Sequence, residues 1–235
     1  MEMKIIIIIL TLLCLAELSA EELFTARVYH RETGEFLYWQ YNQVTSTDST
    51  VTQTHNYLHA DSTLAVVDEV VLKNGIPWKF YSKFYDIGEE SLIILEDDFL
   101  QINYWENGEQ KSKAFEFEDR LLSGPLFNDF VQEKWNSLLQ GEVEKFRLPA
   151  ADMLTTGGFY LKQVDGSEYK KKGTVVFKMG ISSIFLRLWI KPSYFVYDLE
   201  NKQLLEIHGL TILPNKVDDD WSRTTNADIF YEYKK

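Results

Sequence analysis

Cysteine is all but missing. The one thiol among the 235 residues, Cys14, lies inside the apolar run 5–16. If that run is removed as an export signal, the mature chain carries no sulfhydryl. Disulfides, thiol catalysis and cysteine-ligated zinc or iron–sulfur centres are then excluded. An exported chain without disulfides must rest on its apolar core.

Positive charge is also in short supply. Lys and Arg number 24 against 36 Asp and Glu, a net charge of −12. Binding to nucleic acid is driven by Lys and Arg neutralising phosphates, so this balance argues against it. It argues equally against simple attraction to anionic lipid head groups. The apolar run 5–16 falls short of the roughly twenty residues a spanning helix needs. G-x-S-x-G, P-loop and G-x-G-x-x-G patterns do not occur, and neither does any cofactor motif. No repeat and no Pro-rich or Gly/Ser-rich linker divides the chain, so residues 21–235 read as a single domain.

What is present begins with MEMKIIIIILTLLCLAELSAEEL. Lys4 gives a basic start, the apolar run follows, and Leu18-Ser19-Ala20 offers a small residue before Glu21. This is the pattern of a secretory signal peptide over 1–20, cut near Ala20, with a periplasmic or secreted product. Leu12 and Leu13 precede Cys14, where a bacterial lipidation signal would carry small residues.

Much of the rest alternates with a period of two, as strands do. In WKFYSKFY the even positions carry Trp78, Phe80, Ser82 and Phe84; in FLQINYW one side carries Leu100, Ile102 and Tyr104. Asn74-Gly75 and Asn107-Gly108 are the strongest short hairpin signals, and 86–89 makes a third turn. Together they predict an antiparallel meander over 63–117. Further strands are predicted over 143–148, 158–164, 174–179, 194–199, 204–213 and 229–233.

Between the two strand regions stands one helical stretch, 125–140. Pro125 suits its first position and Gly141 its end. Leu126, Phe127, Phe130, Val131, Trp135, Leu138 and Leu139 share one side. The fold class expected is mostly β (α+β): a strongly bent antiparallel sheet, or half-barrel, wrapped around this one amphipathic helix. The segment 184–190 is apolar nearly all round, with Arg187 its only charge, and fits a short helix ended by Pro192. It reads as packed on the core, or as a lid or patch touching membrane or a partner.

Candidate chemistry is sparse. His55 and His59 have a metal-like spacing on a helix, but in a strand they stand roughly 13 Å apart, too far to chelate together. The acidic groups 96–98 and 218–220 read as solvated turns rather than calcium or glycosidase sites. Rings at 36–41 fit a strand buried on both faces, or an aromatic groove for a sugar or lipid.

The motifs FNDFVQEKWNSLLQGE and YDLENKQLLEIHG resemble a family of exported bacterial β-rich proteins of unknown function. A bent sheet around a helix is similar, in architecture only, to the periplasmic lipoprotein carriers, whose concave face takes acyl chains. No functional residue carries over from either likeness.

The leading expectation is therefore a non-enzymatic binder of an apolar or amphipathic, lipid-like ligand between sheet and helix. Trp78, Phe80, Phe84, Phe130, Trp135 and Trp189 would line it. One alternative is a structural or protein-interaction module of the cell envelope with a filled core. Another is a carboxylate-based hydrolase. An open or packed space beside Trp135 separates the first two.

Overall fold

The computed structural model describes residues 21–234, apart from 118, 189, 218 and 219. The expected signal segment 1–20 and Cys14 lie outside the described residues, as do Trp189, Asp218 and Asp219.

The chain first lays down β1 (Glu21–His30), β2 (Phe36–Ser46), β3 (Thr50–Leu58), β4 (Leu64–Lys73), β5 (Ile76–Phe84), β6 (Glu89–Glu96), β7 (Phe99–Glu106) and β8 (Glu109–Glu116). Two helices follow, α1 (Gly124–Glu133) and α2 (Trp135–Leu139). Strands then resume with β9 (Glu144–Ala150), β10 (Thr155–Gln163), β11 (Thr174–Ile181), β12 (Ser193–Asp198) and β13 (Leu204–Thr211). A small hairpin, β14 (Asn215–Val217) and β15 (Asp220–Ser222), precedes the last strand, β16 (Thr225–Tyr233).

The protein is mostly β, and all the large strands join one antiparallel sheet. Its fourteen strands run in the order β8-β7-β6-β5-β4-β3-β2-β1-β16-β13-β12-β11-β10-β9. Two meanders thus meet where the first and last strands pair, Ala26 opposite Tyr231 and Val28 opposite Ile229. The Asn-Gly turns form as expected. Asn74 and Gly75 have φ of 52° and 79°, Asn107 and Gly108 of 52° and 84°, the double positive φ that a twist-matched hairpin demands.

β8 and β9 do not pair with each other. Yet Arg147 of β9 donates its N–H to Arg120 O (2.8 Å) and accepts the Leu122 N–H at its own carbonyl (2.9 Å). Arg120 lies four steps along the chain from Glu116, the end of β8, a span of at most ~14 Å. Fourteen strands laid flat would put the end strands roughly 60 Å apart. The sheet therefore cannot be flat.

The helical stretch departs from expectation in one respect. It is two helices rather than one, with Lys134 (φ −91°, ψ 9°) between them. The break turns Leu139 outward, 39 % exposed, while Trp135 and Leu138 stay buried. The main core unites β4–β7 (Val70, Phe80, Ile93, Ile102), the helices (Phe127, Phe130, Trp135, Leu138) and β9–β13 (Phe146, Leu161, Phe177, Tyr197) in one cluster. A second cluster of smaller side chains, Ala26, Val28, Ala65, Val66 and Ala227, is closed by Leu213 from the excursion between β13 and β16.

The short helix expected over 184–190 is a single 3-10 turn, Leu186–Leu188, and the side chains of 184–188 are exposed rather than packed on the core. Among the described residues no helix is long and apolar enough to cross a membrane.

Candidate functional site

The predicted lining residues part company. Phe80, Phe130 and Trp135 are each under 5 % exposed and belong to the main core. Trp135 meets Phe177 and Tyr197 edge-on, at ring distances of 5.6 and 5.8 Å. Phe130 lies 5.2 Å from the Phe146 ring. Phe84 packs on the second cluster, not under the helix. Trp78 leaves the expected face altogether. A register shift opposite Val71 and Leu72 breaks the alternation there. Trp78 donates Nε1–H to Glu96 (3.3 Å) with the Lys73 ammonium over its ring (5.7 Å).

Trp135 is buried in the core against Phe177 and Tyr197. A cleft of about 380 Å³ lies among the turns at Phe84, Gly88, Glu89 and Trp105. A second, of about 410 Å³, opens beside α1 between Leu72, Leu95, Leu126 and Phe130, with Arg120 and Glu133 at its mouth. Neither reaches Trp135. Arg120 donates to Glu133 (2.9 Å), and this bond holds the Glu133 carboxyl down at about 2.

The most unusual grouping is polar and buried. Six residues stand directly opposite one another across consecutive strands: Asn42, His55, Asp68, Ser82, Ser91 and Tyr104. The row runs transversely between the two apolar clusters. Val66 and Val70 flank Asp68 along β4; Phe84 and Phe80 flank Ser82 along β5. All but Ser82 are buried.

The N-terminus of α1 rests on this row. Asp68 accepts the Ser82 hydroxyl (2.9 Å) and the backbone N–H of Gly124. A carboxylate suits the positive end of a helix, and Ser123, the cap residue, makes no side-chain capping bond of its own. Burial nevertheless pushes the Asp68 carboxyl up to about 6, against the pull of those two hydrogen bonds. Burial pushes His55 the other way, down to about 3, so its imidazole is neutral at neutral pH.

Several polar atoms around the row have no protein partner: His55 Nδ1, Asn42 Oδ1, Gln40 Nε2, Ser123 Oγ and Asn128 Oδ1. Such atoms are satisfied by buried water or cost about 1–3 kcal/mol each.

The residue types, Ser, His and Asp, suggest a nucleophile relay, but the connectivity does not make one. Ser82 donates straight to Asp68, with no imidazole between them to take its proton. The row ends at Tyr104, whose hydroxyl accepts from Arg223 (3.1 Å). Arg223 also pairs with Glu89 (2.6 Å), Asp152 (3.1 Å) and Glu106.

His55 and His59 go to separate partners. His55 faces the interior, whereas His59 pairs with Asp86 (3.0 Å). Among the described residues no group of three His, Cys, Asp or Glu is arranged to hold a metal ion.

The sequence carried a signal for this row. Val66-x-Asp68-x-Val70 places a carboxylate on the apolar face of an alternating strand, and Ser82 interrupts an aromatic one. Arg223 carried none, because its partners come from three distant segments.

No family model, curated protein or solved structure matches the chain.

Proposed function

We propose that this is a non-enzymatic protein of the cell envelope, exported by its N-terminal signal, that works as a structural or protein-interaction module with a permanently filled core. In this reading the sheet is a half-barrel and the two helices are its fixed internal plug. The observation that carries it is the packing of Trp135 against Phe177 and Tyr197, where a carrier would hold its ligand. A lipid-like ligand, as in the leading sequence reading, would have to displace these rings.

Native mass spectrometry of the exported, purified protein tests the proposal. The bare polypeptide mass is expected, unchanged by prior extraction with organic solvent. A stoichiometric lipid adduct lost on extraction would overturn it.

A second reading has one observation in its favour. The cleft of about 410 Å³ beside α1 is lined by Leu72, Leu95, Leu126 and Phe130 together with Asp119, Arg120, Asp129 and Glu133, large enough for a short acyl chain with a polar head. An adduct in the same experiment, abolished by Leu126→Asp but not by Leu139→Asp, would select it.

A further inference from the structure

We propose that the turn 184–188 is a membrane-surface anchor, inserting its side chains into the interface of a bilayer that contains anionic lipid. This deepens the envelope reading by naming the surface the module sits on. A protein that holds no lipid inside can still dock on one, so the two experiments fail separately.

The turn presents its residues the wrong way round for a solvated loop. Ile184, Phe185, Leu186 and Leu188 are 74, 82, 46 and 83 % exposed. The charged residue among them, Arg187, folds back onto the protein. Its guanidinium donates to Ile181 O (2.8 Å) and Ser182 O (3.2 Å) and lies 5.0 Å over the Tyr160 ring. Backbone bonds brace the turn, Arg187 N–H to Ser183 O (3.2 Å) and Ile190 N–H to Leu186 O (2.9 Å). The outward apolar display is thus imposed by structure.

Neighbouring turns extend it. β10, β11, β12 and β13 are adjacent, so the turns at their shared end form one rim. Met153, ahead of β10, is 69 % exposed, and Ile212, just past β13, is 63 % exposed. Exposed apolar tips spread over several separate turns suit a fluid interface better than a single pocket on a second protein.

Charge favours the same occupant. In a chain of net −12, residues 169–197 contain six basic side chains and no acidic one. Lys191 follows the turn, and Lys162 and Lys178 stand opposite each other on the strands behind it. Lys170, Lys171 and Lys172 close the far end of the sheet and do not contribute. A local basic collar behind an apolar tip is the arrangement attracted to anionic head groups.

The test is flotation of the exported protein with vesicles. N-terminal sequencing first establishes that the run 5–16 has been removed. The probes are phosphatidylcholine vesicles with and without a quarter of phosphatidylglycerol. Wild type should float, more strongly with the anionic vesicles. Phe185→Ser/Leu188→Ser should lose roughly tenfold in partition while keeping its circular dichroism and melting temperature, since both side chains are exposed. Wild type that stays with the buffer overturns the proposal. So does a double variant that floats like wild type. A wild type that is dimeric without vesicles, made monomeric by the double substitution, assigns the patch to a second copy and overturns it as well.

Discussion

Asp68, in the middle of β4, accepts the backbone N–H of Gly124, the first residue of α1. The helix is thereby seated on the sheet by a side chain distant in sequence rather than by its own cap. The arrangement is costly, because burial raises the Asp68 carboxyl from 3.8 to about 6.

The sign of that shift sets the first prediction. A carboxyl that holds its proton more tightly folded than unfolded makes the protein less stable as pH rises through 3.8 to 6. At neutral pH the charge costs about 3 kcal/mol. Asp68→Asn keeps a carbonyl for Gly124 and removes the charge. It should match wild type near pH 4 and exceed it by about 1–3 kcal/mol at pH 7.5, read by urea unfolding. A variant weaker than wild type at pH 7.5 would show that the ionised carboxylate is needed to seat the helix.

His55 supplies the opposite slope. Its folded value, lowered from 6.5 to about 3, makes the unfolded chain the better proton acceptor. Its contribution is complete above 6.5 and is lost as pH falls toward 3, at about 1.4 kcal/mol per unit. Between 3.8 and 6 the slopes of these two residues oppose each other. His55→Gln should expose a stability that falls with rising pH in this window, and Asp68→Asn one that rises. Parallel profiles for the two variants would refute the assignment.

Gly124 leaves space for the carboxylate. A Cβ there would stand 2.8 Å from Asp68 Oδ2 and 3.5 Å from His55 Nδ1. Gly124→Ala should cost about 1–3 kcal/mol although alanine favours helix. The cost should shrink in an Asp68→Ala background, a coupling of about 0.5–3 kcal/mol in a double-mutant cycle. Additive effects would mean that Gly124 is constrained by something other than Asp68.

Local chemistry was legible in the sequence, and long-range placement was not. Asn-Gly turns, strand alternation and the apolar face of 125–140 follow from dihedral and burial rules acting over a few residues. They anticipated the mostly β, antiparallel character and six of the later strands. Other features depend on tertiary geometry. The break at Lys134 and the outward swing of Trp78 arise where one element accommodates another. Pairing of β1 with β16 joins the two ends of the chain. The polar row across β2–β7 appears only once five registers are fixed, since a slip of one residue in any strand would turn its member outward.

Arg223 permits a last prediction, because it gathers what the sequence keeps far apart. From the excursion between β13 and β16 it reaches Glu89 on β6, Glu106 and Tyr104 on β7, and Asp152 beyond β9. Glu89 is only 8 % exposed, so its ion pair with Arg223 is partly shielded from water. Arg223 itself is 42 % exposed, which screens part of the interaction. Arg223→Gln should therefore cost about 1–2 kcal/mol, less than a fully buried pair would. The larger effect should be local. Leu213 and the bond from Tyr38 Oη–H to Pro214 O (2.5 Å) still hold one end of the excursion, while 215–224 loses its tether. Limited proteolysis should cut the variant within 215–224 several-fold faster than wild type, with the sheet intact by circular dichroism. Equal cleavage rates would mean that the small hairpin β14–β15 is held by its other contacts, and that Arg223 serves only to neutralise Glu89.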